Sequence, residues 1–284
     1  MEPIQKIGVV GAGTMGSGIA QVAAVSGFSV QVCDAVSGQL KRSHESISGS
    51  LERFVTRGKM SSADRDAGLA RIQFGGEISA VRECDFVIEA IVENVDAKRA
   101  VHSQLGRITR PEIILATNTS SISITTLSHA SGRPAQFVGM HFFNPVPVMS
   151  LVEVIRGDQT SPITLDVTEM LARRMGKTPV RVNDAPGFVA NRVLMPMINE
   201  AIHALAQGIC DAEGIDRVMV LGCNHPMGPL ALADLIGLDV CLFIMEVLER
   251  DTGDPKFSPC GLLRHMVAEG KLGRKTKRGF FEYN

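Results

Sequence analysis

Three glycines near the amino terminus stand at the spacing that suits a dinucleotide phosphate. Gly11, Gly13 and Gly16 follow a short apolar run, residues 7–10, which has the composition of a buried parallel strand. In this G-x-G-x-x-G pattern the first glycine makes the tight turn, the second lets the backbone approach a pyrophosphate, and the third lets the next helix pack against the strand. The amino terminus of that helix supplies a site for the anion.

An acidic residue stands at the distance from this turn that a cofactor ribose requires. Asp34 ends a second apolar run, Val30 to Cys33. Its carboxylate could accept hydrogen bonds from both ribose hydroxyls and would repel a 2′-phosphate, so the predicted cofactor is NAD in preference to NADP. A glycine-rich turn without function is the alternative, and the register of strand, helix and acid favours the dinucleotide site.

A histidine and a carboxylate further along the chain could perform acid–base chemistry. Hydride transfer from an alcohol carbon to a nicotinamide requires a base for the hydroxyl proton, and the unperturbed pKa of histidine suits that task near neutrality. His141 ends a strand-like run, and Pro145 and Pro147 force an extended turn that could bring Glu153 back beside it. Glu153 would then fix the tautomer and stabilise the imidazolium. The simpler role of a satisfied core residue is expected for His44, His102, His129, His203, His225 and His265.

Three further polar groups lie where a predicted strand ends or a predicted helix begins. The first contains Glu93, Asn94 and Lys98, the second is the Asn-Thr-Ser-Ser run at 118–121, and the third is Asn191. Ligands of open α/β sheets gather at the carboxyl ends of the strands, which makes contacts with ribose, nicotinamide or substrate plausible. Helix capping explains Asn, Ser and Thr equally well, and the spacing leaves both interpretations open.

The predicted elements change character near residue 185. Before it, strand-like and helix-like runs alternate, as in a doubly wound parallel sheet. The predicted strands are 7–10, 30–33, 86–90, 113–117, 137–141, 151–156 and 179–182, and the predicted helices are 13–26, 38–57, 96–108 and 164–175. Residues 183–187 have the composition of a linker, and helical spacing then predicts helices at 188–205, which Pro196 should kink, and 231–248. We therefore predict an α/β fold, with a Rossmann-type doubly wound sheet domain over residues 1–185 and an all-α C-terminal domain over 186–284.

Composition narrows the class of protein. The chain of 284 residues is 45 % hydrophobic and 21 % charged, which is typical of soluble globular proteins. A net charge of −1 offers no bulk attraction for nucleic acid or an anionic membrane, so neither is an expected partner. Six scattered cysteines without C-x-x-C pairs argue for reduced thiols and against a bound metal. Because no apolar run approaches a membrane span and the first strand begins close to Met1, we expect a cytoplasmic protein.

Six stretches of the chain together are similar to a known family. They are G-A-G-T-M-G at 11–16, E-A-I-V-E-N at 89–94, N-T-S-S at 118–121, H-F-F-N-P-V-P-V-M at 141–149, P-G-F-V-A-N-R at 186–192 and L-G-C-N-H-P-M-G-P-L-A-L-A-D at 221–234. Over nearly its whole length the chain resembles the short-chain L-3-hydroxyacyl-CoA dehydrogenases, especially the bacterial 3-hydroxybutyryl-CoA dehydrogenases. The resemblance implies an enzyme that uses NAD to oxidise the 3-hydroxyl of a short-chain (S)-3-hydroxyacyl-CoA, or runs the reverse reduction, and that forms a homodimer through its helical substrate domain.

The resemblance also implies roles for individual residues. The family's base and its carboxylate partner fall on His141 and Glu153, and its hydrogen bonds to the substrate oxygens fall on Ser120 and Asn191. The implied cofactor contacts are Gly11, Ala12, Gly13, Thr14, Met15, Gly16, Asp34, Glu93, Lys98, Asn118, Ser120, Asn144 and Lys275. No metal is implied.

Contacts with coenzyme A are implied on a helix of the first domain, and the chain departs from the family near its end. The implied coenzyme A contacts are Ser50, Arg57 and Ser120. Arg53 and Arg57, four residues apart on one helical face, could attract the anionic part of coenzyme A, although such a face is often merely solvated. Lys277 and Phe281 stand where the family usually has glycine and tyrosine. If that glycine has a positive φ, Lys277 must strain or reshape the turn that carries Lys275.

Two other functions remain open at this point. One is a dehydrogenase of the same architecture that acts on a free hydroxy acid or sugar acid, whose activity would not depend on a thioester. The other is a dinucleotide-binding protein with a structural or sensing role, since such folds can be recruited without chemistry. A sensor has no need of a base, so the four side chains of the implied catalytic set favour an enzyme.

Overall fold

The structure, a computed structural model, describes residues 3–284 and divides into two compact units. The first unit ends at Asp184, and the second is Ala185–Asn284. The first unit is built on one eight-stranded sheet, and the second is helical. The predicted fold class is therefore confirmed, with one correction to the sheet and one to the helices.

The sheet of the first unit is parallel except at one edge. Its strands are β1 (Lys6–Val10), β2 (Ser29–Cys33), β3 (Ile72–Gly75), β4 (Phe86–Glu89), β5 (Ile114–Thr117), β6 (Phe137–Phe142), β7 (Leu151–Arg156) and β8 (Thr178–Asn183). They lie in the order β3-β2-β1-β4-β5-β6-β7-β8. The pairs from β3 through β6 are parallel, whereas β7 runs antiparallel to β6 and β8 runs parallel to β7. The parallel order predicted for the sheet extends only through β6, because residues 143–150 reverse the chain without a crossover helix, at the turn predicted from Pro145 and Pro147.

Helices between the strands account for the apolar character of the sheet. They are α1 (Thr14–Val25), α2 (Ser37–Thr56), α3 (Ser62–Ala70), α4 (Val95–Ile108), α5 (Ile124–Ala130) and α6 (Pro162–Arg174). Every residue of β4 and β5 is buried, as expected of strands covered on both faces. The sequence patterns do not reveal β3, α3 and α5, which are short and have few apolar residues in a regular period.

The second unit contains five helices among its described residues. They are α7 (Ala190–Ala206), α8 (Ala212–Cys223), α9 (Pro229–Ile236), α10 (Leu238–Thr252) and α11 (Gly261–Ala268). The prediction of one helix over 231–248 is wrong, because Gly237 has a φ of 106° and separates α9 from α10. Pro196 lies inside α7, which extends on both sides of it. Ile202, Leu230 and Leu248 are among the fully buried residues of this unit's core.

Thiols, metal-ligand clusters and membrane spans can be assessed over residues 3–284. All six cysteines are unpaired, and Cys33, Cys84, Cys241 and Cys260 are buried. Burial raises the pKa of Cys33 and of Cys84 to about 12, so these thiols are unreactive near neutrality. Within the same residues, His, Cys, Asp and Glu form no cluster that could hold a metal ion. No helix there has both the length and the apolarity needed to cross a bilayer.

Candidate active site

The glycine turn after β1 contains two glycines that leave no room for a side chain and one that does. A Cβ on Gly11, whose φ is +103°, would lie 2.5 Å from the Ala90 carbonyl oxygen, and a Cβ on Gly16 would lie 1.8 Å from the Gly11 oxygen. A Cβ on Gly13 would meet no described atom within 4 Å. Gly11 and Gly16 are therefore required by the packing of the turn, whereas Gly13 faces open space. That space adjoins the amino terminus of α1, where backbone N–H groups are available to a pyrophosphate.

Asp34 is held at the carboxyl end of β2 by two backbone donors. Its Oδ2 accepts a hydrogen bond from the Ala12 amide at 2.8 Å, and its Oδ1 accepts one from the Val36 amide at 2.9 Å. The carboxylate lines a cavity of about 800 Å³, to which β1, β2 and α2 contribute. The polar and glycine residues of this cavity include Gly11, Gly13, Asp34, Gln39, Arg42, Gly76, Glu77 and Gln104. An open glycine turn beside a fixed carboxylate fits a dinucleotide whose adenosine ribose has free hydroxyls.

His141 and Glu153 face each other across two antiparallel strands. The register of β6 and β7 pairs these residues directly, and His141 Nδ1 lies 2.7 Å from Glu153 Oε2. Both residues are buried, with 7 % and 2 % of their surface exposed. A carboxylate accepts hydrogen bonds, so Nδ1 carries the proton in the neutral ring and Nε2 presents the basic lone pair. The contact predicted from the two prolines is present, and its chemistry suits a general base with an orienting partner.

Glu93 shapes the loop that follows β5. Its Oε1 accepts hydrogen bonds from the Thr119 hydroxyl at 2.6 Å and from the backbone amides of Ser120 and Ser121 at 2.9 and 3.1 Å. The hydroxyls of Ser120 and Ser121 lie 3.3 and 3.1 Å from the same oxygen. One carboxylate oxygen thus fixes the backbone that carries Ser120. Glu93 Oε2 lies 3.6 Å from Lys98 Nζ.

A fully buried polar cluster lies below this loop. The Lys98 ammonium donates to Glu89 Oε1 at 2.6 Å, and Glu89 Oε2 accepts from Thr117 Oγ1 at 2.7 Å and from His102 Nε2 at 3.1 Å. Burial works to raise the pKa of Glu89, but the His102 hydrogen bond and the Lys98 charge outweigh it and lower that pKa to about 2. Lys98, one of the predicted cofactor contacts, directs its charge between the carboxylates of Glu89 and Glu93.

The remaining predicted cofactor residues of the first unit follow β1, β5 and β6. Asn118 Oδ1 accepts a hydrogen bond from the Phe142 amide at 2.9 Å and so ties the end of β5 to β6. Asn144 lies in the loop between β6 and β7. Ala12 lies in the glycine turn, and Thr14 and Met15 begin α1. These residues all lie in the first unit, at or beyond the carboxyl ends of parallel strands.

Two of the three residues predicted to contact coenzyme A lie on α2 or directly after it, and the third, Ser120, lies in the loop that follows β5. Ser50 lies in the last two turns of this helix, and Arg57 directly follows its end. Arg53 and Arg57 are both exposed, as the helical spacing predicts. No described ion pair joins either arginine to a carboxylate, so both guanidinium groups are accessible to an anionic ligand.

The remaining predicted residues lie in the second unit. Asn191 is buried at the start of α7. The Lys275 ammonium donates to both carboxylate oxygens of Asp239. Lys277 has a φ of 59°, so the lysine takes the left-handed conformation that a glycine would adopt without strain. The strain of this turn therefore falls on the Lys277 backbone.

Several residues that shape the site were not singled out by sequence patterns. Glu89 is the first residue of the E-A-I-V-E-N stretch at 89–94 and the last residue of β4. An acidic residue at the end of an apolar strand is a signal from which its role could have been predicted. Gln39 and Arg42 line the cavity from α2, where the only signal is their position shortly after Asp34. Lys177 donates to two carbonyl groups of the loop between β6 and β7, and backbone acceptors leave no trace in a sequence.

Known proteins match this chain over nearly its whole length. Residues 6–185 match the NAD binding domain of 3-hydroxyacyl-CoA dehydrogenase, and residues 187–283 match the C-terminal domain of the same enzyme. A Deinococcus radiodurans protein named "Probable 3-hydroxybutyryl-CoA dehydrogenase" is 55 % identical, with 98 % of this chain and 100 % of the relative covered. The 3-hydroxybutyryl-CoA dehydrogenase of Bradyrhizobium diazoefficiens is 46 % identical, with 99 % and 96 % covered.

A solved structure extends the likeness to three dimensions. The crystal structure of (S)-3-hydroxybutyryl-CoA dehydrogenase from Ralstonia eutropha has a TM-score of 0.96 and 49 % sequence identity. The match covers 99 % of this chain and 100 % of that chain. Both family domains, in the same order and over nearly every residue, are thus present. The chain belongs to the NAD-dependent 3-hydroxyacyl-CoA dehydrogenase family.

Proposed function

We propose that this protein oxidises the 3-hydroxyl group of a short-chain (S)-3-hydroxyacyl-CoA, such as 3-hydroxybutyryl-CoA, to the 3-oxoacyl-CoA with NAD, and that it also catalyses the reverse reduction. The observation that carries the proposal is the buried His141–Glu153 pair, whose side chains are 2.7 Å apart. His141 lies near the carboxyl end of β6, on the same side of the sheet as the glycine turn at the carboxyl end of β1. Relatives that are 46 to 55 % identical and have this activity in their names support the substrate class.

The protein's own residues supply the proton transfer. NAD, when bound, accepts the hydride that leaves C3 of the substrate. His141 Nε2 takes the hydroxyl proton, and Glu153 holds the Nδ1–H and stabilises the positive charge that develops on the ring. Ser120 and Asn191 are assigned to hydrogen bonds with the substrate oxygens. In the reverse direction the His141 imidazolium returns the proton to the developing alkoxide.

We assign the two domains different tasks. Residues 1–185 bind NAD through the glycine turn, Asp34 and the residues beyond β4, β5 and β6, with Glu93 and Lys98 on the ribose of the nicotinamide half. The buried position of Lys98 supports an action through Glu93. Ser50 and Arg57 bind coenzyme A, and the exposure of Arg57 supports this. Residues 186–284 bind the acyl substrate and form the dimer, and Lys275 of this domain contacts the cofactor.

The proposed homodimer and the proposed cytoplasmic location rest on surface chemistry. Large apolar side chains are exposed on four helices of the second unit, among them Val193 at 65 %, Leu221 at 76 % and Phe243 at 47 %. The second unit exposes as many of them as the larger first unit does, and a high density of exposed apolar side chains is typical of an interface between subunits. The six unpaired cysteines suit a reducing compartment such as the cytoplasm.

The direct test follows NADH absorbance while purified protein is given acetoacetyl-CoA, with free acetoacetate and NADPH assayed in parallel. We expect rapid oxidation of NADH with the thioester, little with the free acid, and a strong preference over NADPH because Asp34 repels a 2′-phosphate. Tight NADH binding without turnover of the thioester would contradict the proposal. Turnover of the free acid alone would instead identify a dehydrogenase of free hydroxy acids.

A further inference from the structure

The loop between β6 and β7, residues 143–150, carries a polar side chain whose position depends on the backbone alone. Asn144, assigned above to the cofactor, makes no hydrogen bond through its amide to any other residue within 3–284. No hydrogen bond to another described residue therefore orients it. The contacts that fix the backbone of this loop therefore determine the position of Asn144.

Lys177 holds this loop from one side. Its ammonium donates to the Val146 carbonyl at 2.5 Å and to the Met149 carbonyl at 2.8 Å. The residue follows α6 and directly precedes β8, and only 8 % of its surface is exposed. Among the described residues no carboxylate lies within ion-pair distance of the ammonium. The lysine thus spans two carbonyl groups three residues apart and fixes the curvature of the loop between them.

Helix α1 supports the loop from the other side. The Val146 side chain is 2 % exposed, and a Cβ built on Gly18 would lie 2.7 Å from Val146 Cβ. Gly18 lies two residues after Gly16, in the helix whose amino terminus faces the pyrophosphate site. The loop is therefore packed between the cofactor helix and the Lys177 ammonium.

The cost of burying Lys177 points to a purpose for its charge. Burial lowers the pKa of Lys177, because no anion offsets the desolvation of the ammonium. A methionine of similar length would fill the same space without that cost. Within residues 3–284 the Lys177 ammonium donates hydrogen bonds only to the two carbonyl groups of the loop at 143–150, so we look for its function in that loop.

The sheet topology indicates which half of the cofactor this loop would meet. Asp34 marks the adenosine ribose at the end of β2, and the glycine turn marks the pyrophosphate between β1 and β4. A dinucleotide that crosses the sheet in this direction places its nicotinamide half toward β5 and β6. The loop that follows β6 lies on that side.

We infer that Lys177 is a positioning residue for the nicotinamide half of NAD, because it holds the Val146 and Met149 carbonyls and thereby places the Asn144 amide. The inference rests on the proposed function, in which the residues beyond β6, Asn144 among them, bind NAD. Lys177 itself touches neither cofactor nor substrate in this account. It differs from the His141–Glu153 pair, whose geometry the strand ladder already fixes.

The test compares two ligands that differ in the nicotinamide. The Kd values of NADH and of ADP-ribose, which lacks the nicotinamide, are measured by titration calorimetry for the wild type and Lys177→Met. We expect the Kd of NADH to rise about five- to tenfold, the value of roughly one lost hydrogen bond, while that of ADP-ribose changes less than about twofold. Lys177→Arg should restore part of the NADH affinity, since a guanidinium can donate to both carbonyl groups.

Arg133→Met is the matched control. Arg133 is another buried cation that donates mainly to backbone carbonyl groups, those of Gly106, Thr109 and Arg110 near the end of α4. Its loss should lower the melting temperature without changing the ratio of the two Kd values. If Lys177→Met changes only the melting temperature, as the control does, Lys177 is merely structural and the inference is wrong.

Gly18→Ala tests the same loop without touching Lys177. The added methyl must displace Val146, so we expect weaker NADH binding with nearly unchanged ADP-ribose binding. This variant decides the matter if Lys177→Met does not fold. Equal weakening of both ligands, or no weakening of NADH, would overturn the inference. Neither measurement depends on turnover of an acyl-CoA, so a failure of the inference is distinguishable from a failure of the proposed function.

Discussion

The contact between His141 and Glu153 follows from strand register rather than from side-chain fit. The two residues are direct partners in the antiparallel β6–β7 ladder, and both side chains point to the same face. A register slip of one residue would send Glu153 to the opposite face of the sheet. Because ladder hydrogen bonds and buried apolar neighbours oppose such a slip, the pair is preorganised before any ligand binds.

Replacing the base should separate turnover from cofactor binding. For His141→Ala we expect kcat for acetoacetyl-CoA to fall roughly a hundred- to ten-thousandfold, the usual contribution of general acid–base catalysis. The Kd of NADH should change less than about twofold, since Asp34 and the glycine turn remain intact. His129→Ala is the matched control, because His129 is exposed at the end of α5 and its loss should leave both values unchanged. Near-normal turnover by pure His141→Ala protein would remove His141 from the mechanism.

Individual site residues differ in how far the sequence reveals them. Glu153 could be predicted because two prolines between it and His141 imply a reversal of the chain. Glu93 was predicted as a cofactor contact, but its five short contacts to residues 119–121 depend on β4 and β5 being neighbours. The contacts of Lys177 are with backbone carbonyl groups about thirty positions earlier in the chain. Such partners have no residue type that a pattern could detect.

The turn between β1 and α1 offers a pair of substitutions that should both weaken NADH binding but differ in their effect on the melting temperature. In Gly13→Ala the new methyl meets no protein atom within 4 Å but enters the space expected for the pyrophosphate. We expect the Kd of NADH to rise at least about tenfold, through the loss of one or more hydrogen bonds to the anion, with an unchanged melting temperature. Fluorescence titration and thermal unfolding measure the two quantities.

Gly16→Ala is the comparison for that result. Its methyl would lie 1.8 Å from the Gly11 oxygen, so the turn must open and the melting temperature should fall along with NADH affinity. If Gly13→Ala binds NADH as tightly as the wild type, the pyrophosphate does not pass this turn.

Glu89 joins β4, β5 and α4 through its bonds to Thr117, His102 and Lys98. Its pKa is about 2 in the folded protein against 4.5 for an unperturbed glutamate, so the carboxylate stabilises the fold above about pH 4.5. That contribution is lost as the pH falls from 4.5 toward 2, because the unfolded state then binds the proton more readily. We therefore expect Glu89→Gln to lower the free energy of unfolding at pH 7 by about 3 to 5 kcal/mol, since Lys98 is left buried without its closest counterion.

Urea unfolding at pH 7, 5 and 3.5 measures this effect. The difference between wild type and Glu89→Gln should shrink at the lowest pH, where the wild type begins to lose the same interaction. Glu45→Gln is the control, since Glu45 lies 4.0 Å from Lys41 on the exposed face of α2 and should change stability by less than about 1 kcal/mol at each pH. A difference that does not depend on pH would contradict the role given to the Glu89 carboxylate.

Most elements could be predicted from apolar period, and the errors have identifiable physical causes. Pro145 and Pro147 imply the reversal before β7, but the contacts of Lys177 and α1 that hold this loop come from residues distant in sequence. The break between α9 and α10 occurs at Gly237, where the Leu238 amide donates to the Leu272 carbonyl at 3.3 Å. A lone glycine inside an apolar helical period is compatible with a continuous helix. The tertiary contact that ends α9 comes from the C-terminal segment, which the local pattern does not contain.

The composition of the whole chain indicates less about the partners of the protein than the exposed side chains do. A net charge near zero excludes bulk electrostatic attraction, and the same value would suit very many enzymes. The density of exposed apolar side chains on α7, α8, α9 and α10 is more specific, because the second unit exposes as many of them as the larger first unit does, and the helices of a monomer would be expected to turn such residues inward. This density is the physical support for a subunit interface on the second unit.

One charge placed on that surface should reveal the oligomeric state. We expect light scattering to give the wild type a mass of twice the 30.5 kDa of one chain. Leu221→Lys, at a side chain that is 76 % exposed on α8, should shift the mass toward a single chain, because a dimer would have to bury an unpaired ammonium. Ile163→Lys on α6 is the control, since Ile163 is 64 % exposed in the first unit and should leave the mass unchanged. A single-chain mass for the wild type at every concentration would rule out the dimer, whereas dissociation by Ile163→Lys alone would move the interface to the first unit.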